Sequence, residues 1–342
     1  MGEKQEHAAT PPSPQGAVLE EIIDLIKENE QFALTTHLSP EGDALGSALA
    51  LRLILRRLGK EALVIMQDSV PPGLRFLKGA EGIKGPKSLQ EQLDPQLWFV
   101  LDCADLGRVG EQVEWLIERS GRPIVNIDHH IDNAHFGHFN YVRPVAATAQ
   151  LILELARAFR IIDPEIATAL YSGLIADTDG FRNANTDPKA LRDAAALVEE
   201  GARAQEVILN LYERRTLGEL RLRGHVFLHA HLEDSIVWSS LPSRAFAELG
   251  ATPQETEHLI EELRTLEGIE VAVLFKELDG GRVKVSFRAK KDFKVNEVAK
   301  EFGGGGHEQA AGCVIEGELA AVEERVLREL RRRLDANARR TG

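Results

Sequence analysis

The chain reads as α/β: a parallel-sheet domain with helices on both faces, then a smaller α+β domain joined to it by a helical linker. Three observations predict this. The 342 residues are about twice the ~150 that serve as a prior for one domain. Short β-prone runs alternate with helical spacing as far as Glu200, the pattern of a parallel sheet covered by helices. Beyond Gly201 the alternation gives way to strands that can pair as neighbours.

Residues 1–15 are rich in Pro, Ala and Thr without periodicity and are expected to form a mobile tail. The first domain is expected over residues 16–201. It begins with helical spacing at 18–27, a β-run at 32–36, a turn, and a helix over 43–58 with apolar residues at Leu45, Leu49, Leu53 and Ile54. Further β-runs at 62–66, 97–102 and 123–128 alternate with helical segments at 112–118, 149–159, 164–176 and 188–200. A heavily charged stretch predicts a linker helix over 202–223, and the second domain is expected over 224–342. Its strands fall at 236–241, 271–278, 283–289 and 312–315, and Asp279-Gly280-Gly281 marks a hairpin between two of them.

Composition narrows the function classes. With 43% apolar and 28% charged residues the chain is globular and not disordered. No run approaches the ~18 apolar residues of a membrane span, and the first residues lack an apolar leader; a soluble, cytoplasmic protein is expected. Cys103 and Cys313 are too far apart in sequence for a paired metal knuckle, and two cysteines make no disulfide framework. The net charge of −13 excludes coating of long nucleic acid, which needs a broad basic face. A small anion held in a local pocket remains compatible with it.

Four places put acids or imidazoles just after a predicted strand or where a helix reaches the same edge. That edge, at the carboxyl ends of the strands, is where open α/β sheets bind ligands. They are His37-Leu-Ser-Pro-Glu41-Gly-Asp43, Leu101-Asp102, Asn126-Ile-Asp128-His129-His130, and Asp177-Thr-Asp179-Gly-Phe181. Each alone reads equally as a cap or a solvated loop, since Asp is a common N-cap. Four such sets at one edge, with no cysteine competing, describe a site for two divalent cations. Mixed carboxylate and imidazole donors favour Mn²⁺ over Mg²⁺.

The pattern resembles the DHH phosphoesterase family, named for the run found here as Asp128-His129-His130. Residues 37–47, Leu101-Asp102 with Arg108, 128–130 and 177–181 are similar to its four motifs. Phe302-Gly303-Gly304-Gly305-Gly306-His307, followed by Ala310-Ala311-Gly312, is similar to the signature of the associated DHHA1 domain. The size looks most like the compact branch of bifunctional oligoribonucleases and 3'-phosphoadenosine 5'-phosphate (pAp) phosphatases.

The resemblance implies one cation held by His37, Glu41 and Asp102 and another by Asp43, His129 and Asp177, with Asp102 shared. His130 would face the phosphate and Asp128 would support the histidines, with a hydroxide between the two cations as the attacking group. The family usually has Asp where this chain has Glu41, and Asp179 is an added acid without an assigned role. In the second domain, residues 282–301 carry seven basic against three acidic side chains. Arg288, the glycine run 303–306 and His307 would bind a terminal phosphate, with backbone amides forming part of the cradle. The expected partners are short RNA oligonucleotides and pAp, and the resemblance implies a homodimer. The alternatives are a cyclic or linear di-adenylate phosphodiesterase and, in a different class, a non-catalytic nucleotide-binding protein.

Phe287, Phe293 and Phe302 are read as core and not as a stacking platform, and Cys103 as a buried apolar residue and not a nucleophile.

Overall fold

The computed structural model describes residues 14–88, 94–256, 259–290 and 293–341. Of the expected tail, residues 1–13 lie outside the described residues, as does Lys291 of the basic segment. The chain divides into two compact units, Met1–Arg214 and Arg215–Gly342.

In the first unit the elements run α1 (Pro14–Glu28), β1 (Gln31–Thr35), α2 (Gly42–Arg57), β2 (Glu61–Val64), β3 (Leu97–Leu101), α3 (Glu111–Ser120), β4 (Ile124–Asp128) and β5 (Phe139–Val142). They continue with α4 (Thr148–Phe159), α5 (Pro164–Asp177), α6 (Pro188–Glu199) and α7 (Ala204–Tyr212). The strands form one parallel sheet in the order β2-β1-β3-β4-β5. The short strand β5 is an addition to the sequence reading.

Helices cover both faces, as the unbroken apolar strands require. In β3, Leu97, Phe99 and Leu101 enter the core shared with α2, α4 and α5, while Trp98 and Val100 face Val113, Leu116 and Ile117 of α3. Burying a side chain such as Phe99 contributes roughly 1.5–3 kcal/mol. The order places a topological switch between β1 and β3: the chain leaves β1 toward β2 on one side and returns through β3 toward β4 on the other.

A helix pair fixes what stands above that edge. A Cβ on Gly46 would lie 2.4 Å from the Ala169 carbonyl oxygen, and one on Gly42 would lie 2.4 Å from the Ala176 Cβ. These two glycines of α2 therefore let it lie against α5 almost backbone to backbone, bringing the start of one helix beside the end of the other.

The second unit contains α8 (Leu217–Leu228), β6 (His231–Glu233), β7 (Ile236–Leu241), α9 (Ser243–Leu249), α10 (Leu259–Arg264), β8 (Val271–Leu278) and β9 (Arg282–Ala289). After these come α11 (Val295–Glu301), β10 (Gly305–His307), β11 (Ala310–Glu316) and α12 (Leu319–Thr341). Its sheet runs β10-β11-β9-β8-β7-β6, antiparallel except for the β7–β8 pair. One face packs on α11 and α12, the other on α8, α9 and α10. The expected hairpin closes β8 on β9, with Gly280 and Gly281 at φ +76° and +67°.

Where the sequence predicts one linker helix over 202–223, the structure has two. Helix α7 belongs to the first unit and α8 to the second. The break follows from a new cap: the Thr216 hydroxyl accepts the Glu219 amide at 2.9 Å, which starts a helix there. Among the described residues no helix is long and apolar enough to cross a membrane.

Candidate active site

The carboxyl ends of β1, β3 and β4 deliver His37, Asp102 and Asp128, and the first two flank the switch between β1 and β3. Asp102 turns off its strand at φ +54°, a left-handed conformation uncommon in a residue with a Cβ, though Asp tolerates it better than most. It is 3% exposed. Its Oδ1 accepts the Thr148 hydroxyl at 3.0 Å, and its Oδ2 lies 3.6 Å from His37 Nε2.

Asp43 stands in the first turn of α2, yet it caps a different helix. Position 147, before α4, is an alanine with no oxygen to offer. Asp43 supplies the missing cap by accepting the Thr148 amide at 2.5 Å and the Ala149 amide at 2.9 Å. Burial pushes its carboxyl well above the usual range, and the charges of Asp102 and Asp177 push it the same way. At the end of α5, Asp177 is raised to about 6, first by burial and further by Asp102 and Glu41, against the opposing influence of His129.

The histidines face these acids with a defined nitrogen. His129 Nδ1 lies 3.1 Å from the Val145 carbonyl and His37 Nδ1 lies 2.7 Å from the Leu38 carbonyl. A carbonyl only accepts, so each Nδ1 carries the proton and each Nε2 presents its lone pair. For His129 that nitrogen is 3.5 Å from Asp102 and 3.7 Å from Asp177. Burial alone would lower both imidazoles, but the surrounding carboxylates and the carbonyl bonds raise them.

The arrangement fits a divalent cation. Asp43, His129 and Asp177 each offer a donor atom within 4.8 Å of the others. Donors that share a cation at ~2.1 Å sit ~3–4 Å apart. Lone pairs facing carboxylates beyond hydrogen-bond range, among acids whose charges repel, form a donor set that a cation satisfies. This cluster could hold a metal ion.

A second geometric group, Asp102, Asp128, His129 and His130, is better read as a hydrogen-bond network. Asp128 Oδ1 accepts the His129 amide at 2.8 Å and His130 Nδ1–H at 2.7 Å, and its Oδ2 accepts Asn133 Nδ2 at 2.6 Å. Burial would raise the Asp128 carboxyl, but these bonds hold it below its ordinary value. The hydrogen bond to Asp128 raises His130 in turn, leaving its Nε2 without a partner among the described residues.

Other residues singled out from sequence stand apart. Glu41 is exposed at the N-terminus of α2, outside both donor groups, and its charge reaches Asp177. Arg108 is exposed on the turn after β3; its carbonyl accepts the Leu38 amide at 2.8 Å and its charge opposes the rise of His37. Asp179, left without a role by the sequence, pairs with Arg182 at 2.7 Å. Burial pushes the Cys103 thiol up to about 12, in keeping with an inert core residue.

Sequence reasoning gave Asn126 no role and passed over Asn133, Thr148 and Asn185, all of which orient the acids or join their supports. A signal existed for Asn126: a carboxamide in the middle of a fully buried strand needs a partner.

In the second unit, Arg288 shares the half-exposed face of β9 with Ser286, and its guanidinium bonds Glu261 Oε1 through Nε at 2.8 Å and Nη2 at 2.7 Å. The Gly303 and Gly304 amides donate to the Lys300 and Ala299 carbonyls and so close α11. They are committed to the helix end, contrary to the reading of all four glycines as an open cradle. Gly305, Gly306 and His307 form β10, opposite Gly312, Ala311 and Ala310. A Cβ at Gly306 would lie 2.6 Å from the Ala310 carbonyl oxygen, at φ +133°. Phe287 and Phe293 are core residues.

The fold and this edge define a class. Residues 31–174 match the model of the DHH family, N-terminal domain, and residues 235–338 match that of the DHHA1 domain. The chain belongs to the DHH phosphoesterase family. Within it, the bifunctional oligoribonuclease and PAP phosphatase NrnA of Thermus thermophilus is 37% identical over 321 residues, spanning 92% of this chain and 93% of that protein. NrnA of Bacillus subtilis is 28% identical over 301 residues, spanning 86% and 92%. An exopolyphosphatase-related protein from Bacteroides fragilis shares the fold, with a TM-score of 0.86 at 23% identity over 96% of this chain and 100% of that one.

Proposed function

We propose that the protein is a cytoplasmic, Mn²⁺-dependent hydrolase that degrades very short oligoribonucleotides to 5'-mononucleotides and releases phosphate from pAp. The observation that carries this reading is the convergence of Asp43, Asp102 and Asp177 on the outward nitrogens of His37 and His129. The activities named for the NrnA relatives, similar over nearly their whole length, supply the substrates.

In this reading His37 and Asp102 would hold one cation, and Asp43, Asp102, His129 and Asp177 would hold the other, with Glu41 adding charge beside Asp177. When bound, the pair lowers the pKa of a water and neutralises charge on the phosphoryl group. Everything else is done by the chain. Asp128 holds the proton on His130 Nδ1, so the ring presents Nε2 to the substrate. Its raised pKa keeps that nitrogen protonated more of the time, ready to donate to a phosphoryl oxygen or to the leaving alcohol. No enzyme nucleophile is needed, and the Cys103 thiol is not poised to be one. Arg288, Gly305 and Gly306 bind a substrate phosphate, the arginine after exchanging Glu261 for it; the side chain of His307, expected to join them, lies outside what the structure describes.

The test offers purified protein with Mn²⁺ four substrates: pAp, a di-adenylate, a trinucleotide RNA and a long RNA. Turnover of pAp and the trinucleotide with the long RNA spared is expected. Preference for the di-adenylate would replace the substrate assignment, and inactivity on all four with metal bound would leave a nucleotide-binding protein.

A further inference from the structure

The donors of the centre come from α2, α5 and the ends of β1, β3 and β4, yet one short stretch touches four of them. The Val145 carbonyl accepts His129 Nδ1–H. The Ala146 carbonyl accepts Asn185 Nδ2 at 2.9 Å, and that same nitrogen lies 3.2 Å from Asp177 Oδ2. The Thr148 and Ala149 amides hold Asp43, and the Thr148 hydroxyl holds Asp102. A shift of residues 145–149 would therefore disturb four ligands together.

This stretch precedes and opens α4, where backbone amides lack helical partners. The Ala146 amide finds one in a side chain: it donates to Gln150 Oε1 at 2.9 Å. The other end of that carboxamide, Nε2, donates to Asp193 Oδ2 at 2.7 Å. Gln150 is 1% and Asp193 4% exposed. Asp193 is anchored in turn by Lys189 Nζ at 2.7 Å and Arg157 Nη1 at 2.8 Å. The carboxamide is thus used at both ends, accepting from the loop and donating to the anchor. Glutamate, with the same shape, would set a second carboxylate against Asp193; methionine would leave the Ala146 amide and Asp193 without this partner.

We propose that Gln150, anchored by Asp193, is a positioning residue for the metal centre: it fixes residues 145–149 and through them the orientation of His129, Asp177, Asp43 and Asp102. It touches none of these four itself. The inference rests on the metal-dependent reading of the site, and it assigns a role on α4 and α6 to residues lying outside the four motifs.

The experiment compares wild type, Gln150→Glu, Gln150→Met and the exchange Gln150→Glu with Asp193→Asn. In the exchange, the glutamate accepts from the Ala146 amide and from the new asparagine, so the link is rebuilt with its polarity reversed and the net charge unchanged. Three quantities are read: Mn²⁺ affinity by calorimetry, the His129 Nδ1–H signal in metal-free ¹⁵N-labelled protein, and Tm. Gln150→Glu should bind Mn²⁺ roughly 10- to 100-fold more weakly, the usual cost of losing a group that orients metal ligands, and should lose the His129 signal. The exchange should recover both.

Folded Gln150→Glu with wild-type affinity and an unchanged His129 signal would overturn the proposal, as would an exchange variant that folds but recovers neither. If Gln150→Glu does not fold, Gln150→Met carries the test, because it adds no charge: wild-type affinity there also overturns it. Wild type that binds Mn²⁺, shows the expected variant pattern and yet turns over neither pAp nor short RNA would overturn the functional reading and leave the positioning role standing.

Discussion

In the first unit Asp43, Asp102 and Asp128 are almost completely buried at one sheet edge; in the second, the charges of β9 and α12 lie in pairs nearer the surface. Removing a carboxylate from water costs several kcal/mol unless partners replace the water. Each of these three acids accordingly has identified donors: backbone amides for Asp43, a threonine hydroxyl for Asp102, and an imidazole, a carboxamide and an amide for Asp128. A surface pair contributes only ~0–1 kcal/mol and implies no chemistry. Charge is therefore diagnostic of function in the first unit, whereas in the second Arg288 and the arginines of α12 look alike until their partners are compared.

The contrast can be broken most sharply at Asp102. Replacing it by alanine should lower turnover of pAp by roughly 10³-fold or more, while thermal unfolding shows a folded protein. Activity near the wild-type rate would remove the shared carboxylate from the mechanism.

A smaller effect, on binding alone, is expected in the second unit. Arg288→Ala should raise KM for pAp about 10-fold with kcat nearly unchanged, if the proposed phosphate contact is made equally before and during reaction. Glu261→Gln, which frees the arginine, should lower KM. Equal effects on kcat in both variants would place Arg288 with the first unit's chemistry.

The smallest effect concerns stability alone. Hydrogen bonds from Arg332, and from Arg333 beside it, hold the Glu329 carboxyl at about 2 against an ordinary 4.5. Because the folded value is the lower one, the stabilisation is present above pH 4.5 and is lost as pH falls toward 2. Glu329→Gln should lower Tm of the second unit by about 2–4 °C at neutral pH, with the gap to wild type closing through that window. A gap that persists at the acid end would mean the side chain acts by packing.

The four acidic and imidazole clusters were legible because each interrupts or ends an apolar run. An ionisable group at such a place is either a cap or a site, and coincidence at one edge decides between them. The use of Asp43 as a cap was legible too, but not its recipient: that α4 lacks its own capping oxygen matters only once Gly42 and Gly46 have set α2 against α5. Gly303 and Gly304 differ from the cradle reading for a related reason, since the end of α11 uses up both amides without leaving a trace in the local sequence. Helix α12 carries Val322, Val326 and Leu330 at helical spacing, but among so many charges this stripe passed unread, although it covers one face of the second sheet. Glu41 shows the limit of motif reasoning from the other side: it stands at the expected position, but the structure leaves its carboxylate exposed.

The backbone at Asp102 carries a consequence for how such a protein can change. A left-handed conformation in a residue with a Cβ costs about 1–3 kcal/mol, and glycine would remove that cost. Asp102→Gly would relax the backbone, but it would also take away the carboxylate that accepts the Thr148 hydroxyl and faces His37 Nε2. Backbone relaxation and the loss of a buried carboxylate thus pull in opposite directions at one residue, so the melting temperature of Asp102→Gly reports the difference between them and neither alone.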